Sequence, residues 1–263
     1  MDDDGATPFR TTPASYDDHV GRYGAELARG LIGLAGVGAR DKVLDVGCGT
    51  GLLTAELAAV LPAANVAALD PSEPFAAACR SRVPDADVRV GRGERIPFEQ
   101  ATFDALLAQL SVNFMSDPAG GVREMRRVAR PGGVVAACVW DYAGEMTLLR
   151  AFWDAARRVD PASARFDEGV TMPFCNRTEL SALWVGAGLR DVEIEALRPS
   201  VRYSDFDDLW RPFLAGVAPS GAYATSLDDA GRAALRSEFF LGLGAPAGSF
   251  VLTARAWGVV GRR

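Results

Sequence analysis

The stretch Val43-Leu44-Asp45-Val46-Gly47-Cys48-Gly49-Thr50-Gly51 constrains this chain more than any other. Val43 to Val46 are apolar except for Asp45, the pattern of a strand buried within a parallel sheet. Glycines follow at alternate positions, and Leu52 to Leu61 then reads as a helix. A strand, a glycine turn and a helix bring bare backbone close to a ligand. The helix N-terminus adds free N–H groups and a partial positive charge, which suit a carboxylate or a phosphate. The spacing narrows the choice. Dinucleotide enzymes use G-x-G-x-x-G, and phosphate-cradling NTPase loops carry a Lys followed by Ser or Thr. This turn reads Gly47-x-Gly49-x-Gly51 and has neither feature.

All nine positions resemble motif I of the class I S-adenosylmethionine-dependent methyltransferases, hh-D-h-G-C-G-T-G. Within that class the chain is similar to the type 11, ubiquinone–menaquinone-biosynthesis-like small-molecule enzymes. Three further stretches carry the resemblance, which covers about residues 16–141. Asp70 closes a second strand, Asn65 to Leu69. An ionised Asp only accepts hydrogen bonds, and its two oxygens match the two donor hydroxyls of a ribose. Asp70 or Ser72 capping the next helix is the alternative use. Next, Gly91-Arg92-Gly93-Glu94-Arg95-Ile96-Pro97-Phe98 resembles the G-D-A-E-x-L-P-F loop that holds the adenine edge. Arg92 stands where the family has Asp, and a guanidinium has no acceptor. Adenine recognition is then left to the Gly93 N–H, the Glu94 carboxylate or stacking by Arg92. Last, Arg127-Val128-Ala129-Arg130-Pro131-Gly132-Gly133 is similar to motif III.

The resemblance implies S-adenosylmethionine as cofactor, held by Asp45, Gly47, Cys48, Gly49, Asp70, Pro71, Gly93, Glu94 and Gln109, with Pro71 against the adenine face. Tyr16 to Tyr23 is expected to fold over the cofactor, where Arg22 would pair with the methionine carboxylate or simply sit on an exposed helix face. His19, the only histidine, lies in the same segment. It is the candidate base if the acceptor is a hydroxyl. Gln109, Ser111 and Asn113 follow the fourth strand, Phe103 to Ala108, at the sheet end where open α/β folds bind ligands. Asn113, Trp140, Trp210 and Phe213 are the candidate acceptor contacts.

The expected fold is α/β: a doubly wound, Rossmann-like, seven-stranded and mainly parallel sheet with an antiparallel last strand, plus a helical lid insertion. Residues 1–40 form a tail and a cofactor-covering helix, and 41–197 the core. Val192 to Leu197 is the sixth strand, and the seventh is expected within Phe250 to Val259. The stretch 198–249 between them holds helical patterns at Asp205 to Leu214 and Asp228 to Leu241. These carry Phe206, Leu209, Trp210, Phe213, Leu235, Phe239 and Phe240, and such apolar helices beside a binding edge suit a substrate lid. That lid is expected to select the acceptor and leave cofactor affinity alone.

Composition excludes other classes. A net charge of −6 argues against a nucleic-acid or anionic-membrane surface. The four cysteines form no C-x-x-C pair, so neither a disulfide frame nor a metal site is expected. The acidic Met1-Asp2-Asp3-Asp4 start and the lack of a long apolar run fit a cytoplasmic protein. The function expected is methyl transfer to a small organic acceptor. A cofactor-binding protein without catalysis is the alternative, and a nicotinamide-dependent oxidoreductase the more distant one.

Overall fold

The computed structural model describes Asp18 and residues 20–263; the expected tail and His19 lie outside the described residues. A 3-10 turn, Val20–Tyr23, leads into helix α1, Gly24–Ala35. The order is then β1 (Val43–Val46), α2 (Leu52–Val60), β2 (Val66–Asp70), α3 (Glu73–Arg82), β3 (Asp87–Val90), β4 (Phe103–Gln109), α4 (Pro118–Val128) and β5 (Ala129–Trp140). The C-terminal half adds α5 (Thr147–Val159), α6 (Glu168–Thr171), α7 (Arg177–Gly186), β6 (Arg190–Leu197), β7 (Ser200–Tyr203), α8 (Phe206–Trp210), α9 (Ala218–Ser226), α10 (Asp229–Gly242), β8 (Phe250–Thr253) and β9 (Ala256–Arg262).

Seven strands make one sheet in the order β3-β2-β1-β4-β5-β9-β6. β1 pairs in parallel with β2 (Val43 opposite Val66) and with β4 (Leu44 opposite Leu106). β9 runs antiparallel to both β5 and β6. The strand order therefore reverses between β1 and β4, which opens a crevice at the C-terminal strand ends. β1 and β2 are buried at every position, Asp45 and Asp70 included, as strands of an otherwise apolar run in a parallel sheet are. Helix α1 lies across β4, β5, β6 and β9 and packs on α2, while α4 and α7 pack on each other and on the sheet.

Two details depart from the sequence reading. The strand expected from Phe250 to Val259 is two strands. Phe250–Thr253 pairs with Ser200–Tyr203 in a separate two-stranded ribbon, and only Ala256–Arg262 joins the main sheet. Arg255 makes the step: its backbone bonds Glu145 and Asp141, and its guanidinium pairs with both carboxylates. The chain from Phe250 to Val260 is apolar on both sides of the break except at Thr253 and Arg255, so the pattern alone does not reveal it. Likewise the helix expected over Asp205 to Leu214 ends as α8 at Trp210 and continues as a 3-10 turn, Arg211–Ala215. Pro212 has no N–H to continue an α-helical ladder.

Candidate functional site

The glycine turn is built on the ends of β1 and β2, where the N–H groups of Gly47 and Cys48 both donate to the Leu69 carbonyl, at 2.8 and 2.9 Å. All three glycines have positive φ, of 77°, 53° and 85°. A Cβ on Gly47 would lie 2.5 Å from Ser111 Cβ, and one on Gly51 would lie 3.1 Å from Cys79 Cα in helix α3. Gly49 is different: a Cβ there meets no atom within 4 Å. Its open side faces two adjoining clefts, each lined by Gly47, Gly49, Gln109 and Leu110. The larger, of about 830 Å³, continues along Asp70, Pro71, Phe75, Arg92, Gly93, Glu94, Ser111, Phe114 and Met115. The smaller, of about 410 Å³, runs toward Gly21, Gly24, Asp45, Cys48, Thr50, Leu52 and Leu53.

Two carboxylates bound these clefts. Asp70 accepts from the Gly49 N–H at 2.9 Å through Oδ2 and from the Ser72 N–H at 2.8 Å through Oδ1. Each oxygen has two lone pairs, so one on each is left for a ligand donor. Asp70 thus ties the turn to the following loop and still presents acceptors to the cleft. Burial raises its pKa, against the pull of the two backbone bonds. Asp45 is completely buried. Its Oδ2 accepts from Thr54 Oγ1 at 2.7 Å, while Oδ1 has no partner. Burial pushes this carboxyl up to about 8, with the Thr54 hydroxyl opposing. A buried carboxylate oxygen with nothing to accept from fits a cationic donor.

The rim across the cleft holds the expected loop with one change of role. Gly93 packs so tightly that a Cβ would lie 2.5 Å from Met115 Cε. Glu94 lines the larger cleft, but its Oε1 accepts from Ser116 N at 2.8 Å and from Ser116 Oγ at 2.9 Å, anchoring the loop after β4. Arg92 lines the same cleft. Gln109 spans both clefts; its Nε2 donates to the Gly24 carbonyl at 3.1 Å, and its Oε1 is buried without a partner.

Of the expected cofactor contacts, the structure brings together Asp45, Gly47, Cys48, Gly49, Asp70, Pro71, Gly93, Glu94 and Gln109, but not Arg22. Arg22 lines a separate cleft beside Asp18, Arg211 and Pro212. Its guanidinium forks onto Asp208, at 3.0 and 3.2 Å, and donates to the Arg202 carbonyl. It also lies 4.4 Å over the Tyr203 ring.

The expected acceptor contacts divide. Asn113 and Trp140, at the ends of β4 and β5, are buried with Asn113 Oδ1 and Trp140 Nε1 unpartnered. Trp210 and Phe213 instead lie inside an aromatic cluster. Phe213 stacks on Phe152 of α5 at 4.6 Å and meets Phe239 of α10 at 5.6 Å, and Trp210 packs against Phe206 and Phe213. The helices of the insertion need a core of their own, and these rings supply it. Sequence reasoning also missed Phe75, Leu110, Phe114 and Met115 on the cleft wall. For Leu110, Phe114 and Met115 the signal was a position following the end of β4, and for Phe75 a place in the first turn of α3. Among the described residues no cluster of His, Cys, Asp or Glu is arranged to hold a metal, and no helix is long and apolar enough to cross a membrane.

Comparison with known proteins bears on this geometry. The methyltransferase domain family matches residues 44–137, the span from β1 into β5. A malonyl-[acyl-carrier protein] O-methyltransferase of Dechloromonas aromatica is 32% identical over 233 residues, covering 87% of this chain and 79% of that protein. A demethylmenaquinone methyltransferase of a Mycobacterium species is 39% identical, over only 49% of this chain and 55% of its own length. A solved Haemonchus contortus phosphoethanolamine N-methyltransferase, in complex with S-adenosylhomocysteine, superposes with a TM-score of 0.55 at 15% identity over 89% of this chain and 51% of that one. That identity speaks for the fold alone.

Proposed function

The chain belongs to the S-adenosylmethionine-dependent methyltransferases, and from that premise we propose that the two clefts around Gly49 receive the two halves of the cofactor. The adenosine half occupies the larger, beside Asp70, and the methionine half the smaller, beside Asp45. The observation that carries the reading is the open side of Gly49, framed by one carboxylate with free lone pairs and another with an orphaned oxygen.

When bound, the cofactor supplies an electrophilic methyl group on a sulfonium. The protein's own part is to bind, orient and exclude water. Asp70 accepts from the ribose hydroxyls, and Asp45 Oδ1 accepts from the ammonium of the methionine end. Gln109 fixes the boundary between the clefts through Gly24. Positioning an acceptor atom in line supplies much of the rate in such a transfer, because pre-paid orientation replaces a chance encounter.

The acceptor is a small organic molecule that approaches from the ends of β4 and β5. Asn113 Oδ1 and Trp140 Nε1 are buried there without partners, one an acceptor and one a donor, and are the polar groups nearest that approach. The names of the two relatives point to different acceptors, a carrier-bound malonyl group and a quinone precursor, so neither is carried over. Titration calorimetry with S-adenosylhomocysteine tests the reading. Binding should be saturable, and Asp70→Ala should weaken it by about 1–3 kcal/mol, since bonds to a charged acceptor are the strong ones. Equal affinity for the variant would remove Asp70 from the ribose. A failure of the unaltered chain to bind would leave a fold without its family's cofactor.

A further inference from the structure

The insertion after β6 reaches back to the segment that walls the methionine cleft. Arg22 lies between Gly21 and Gly24, two residues of that wall. Its guanidinium makes the forked pair with Asp208, whose Oδ2 also accepts from Ser204 N at 3.0 Å. Asp208 sits in the first turn of α8, where its N–H is held by the Asp205 side chain at 2.8 Å. Both partners of the ion pair are about a quarter exposed, so it is partly shielded from solvent. The Arg22 guanidinium beside Asp208 holds that carboxyl below its ordinary value, with burial opposing. A second tie lies one turn along: Glu26 of α1 accepts from Ser200 N of β7 at 2.9 Å. Tyr23 is fully buried with its ring edge-on to Trp140 at 5.7 Å, so the turn has little freedom once Arg22 is fixed.

We propose that Asp208 is a positioning residue for the cofactor: through Arg22 it holds the Val20–Tyr23 turn closed over the methionine cleft, so that the insertion governs how firmly the cofactor is kept. The proposal rests on the methyltransferase reading above. It assigns Arg22 to the insertion rather than to the methionine carboxylate. It also replaces the expectation that the insertion leaves cofactor affinity alone.

The test is calorimetry of S-adenosylhomocysteine on the full-length chain and its variants, with melting temperatures measured alongside. The unaltered chain comes first, and its binding reports on the methyltransferase reading by itself. Asp208→Asn keeps an oxygen for the Ser204 N–H and loses the charge. It should weaken binding roughly fivefold or more, with faster release and a melting temperature within a few degrees. Arg22→Lys keeps the charge but cannot fork, and should move affinity in the same direction. The double variant Arg22→Ala with Asp208→Ala should bind no worse than either single change, because the two act as one unit. If Arg22 instead grips the methionine carboxylate, Arg22→Ala weakens binding while Asp208→Asn leaves it unchanged or tightens it. That outcome overturns the proposal. An additive double variant overturns it as well.

Discussion

On the proposed reading, Asp45 is the residue whose chemistry changes most when the cofactor's ammonium arrives. Its carboxyl, pushed up to about 8 by burial, holds its proton at neutral pH in the ligand-free protein. An ammonium at the orphaned Oδ1 favours the carboxylate, so binding expels that proton. Affinity for S-adenosylhomocysteine should therefore rise between about pH 6 and 8, by at most about tenfold per pH unit for one linked proton. Calorimetry in buffers of different ionisation enthalpy would count the proton, and Asp45→Asn should flatten the profile. The ligand-free protein shows the opposite slope. A carboxyl whose folded pKa lies above its unfolded value contributes stability that is full below about pH 4 and lost as pH rises toward 8. Denaturant midpoints across that range, with and without Asp45→Asn, check the sign. Glu168, buried beside Trp153 and raised by burial to about 7, adds to the same slope.

The glycine turn and the aromatic insertion are separable elements. Gly49→Val should fold and lose cofactor binding, because the new side chain enters space that no protein atom occupies. Its positive φ makes the variant somewhat less stable as well. Gly51→Val should behave differently, since its Cβ runs into Cys79 and separates α2 from α3. A marked loss of melting temperature is expected there, measurable by circular dichroism. If Gly49→Val binds S-adenosylhomocysteine normally, the turn does not cradle the ligand. In the insertion, Phe213→Ala removes a fully buried ring stacked on Phe152 and should cost about 3–5 kcal/mol of stability. Urea unfolding gives that number directly. A cost below about 1 kcal/mol would mean that the ring does not hold the insertion to α5.

Across the whole molecule, the proposed site links cofactor binding to folding, because its clefts are assembled from β1, β2, β4 and the turn before α1. Ligand at 100 times its dissociation constant adds about 2.7 kcal/mol to the folded state. S-adenosylhomocysteine should raise the melting temperature and slow amide exchange at 20–24 together with 204–208, the two sides of the Arg22–Asp208 pair. Protection confined to the glycine turn would mean that the insertion does not share in closure. The division of labour between sequence and tertiary structure follows the range of the interactions. The strand–turn–helix at Val43–Val60, the Asp70 terminus and the parallel core are local patterns of apolar runs and glycines, and all were legible in the chain order. The seven-stranded, mainly parallel sheet with an antiparallel last strand followed from the family resemblance those motifs carry, while the order β3-β2-β1-β4-β5-β9-β6 came from the tertiary structure. Arg22 was not legible, since its partner lies 186 residues away and a lone arginine in a polar segment has no period to betray it. Nor was the break at Arg255, where the chain stays mostly apolar from one sheet into the other. Trp210 and Phe213 were read as acceptor contacts and lie in a core instead, because hydrophobicity marks burial without saying what covers it. Packing against Phe152 and Phe239 decided that.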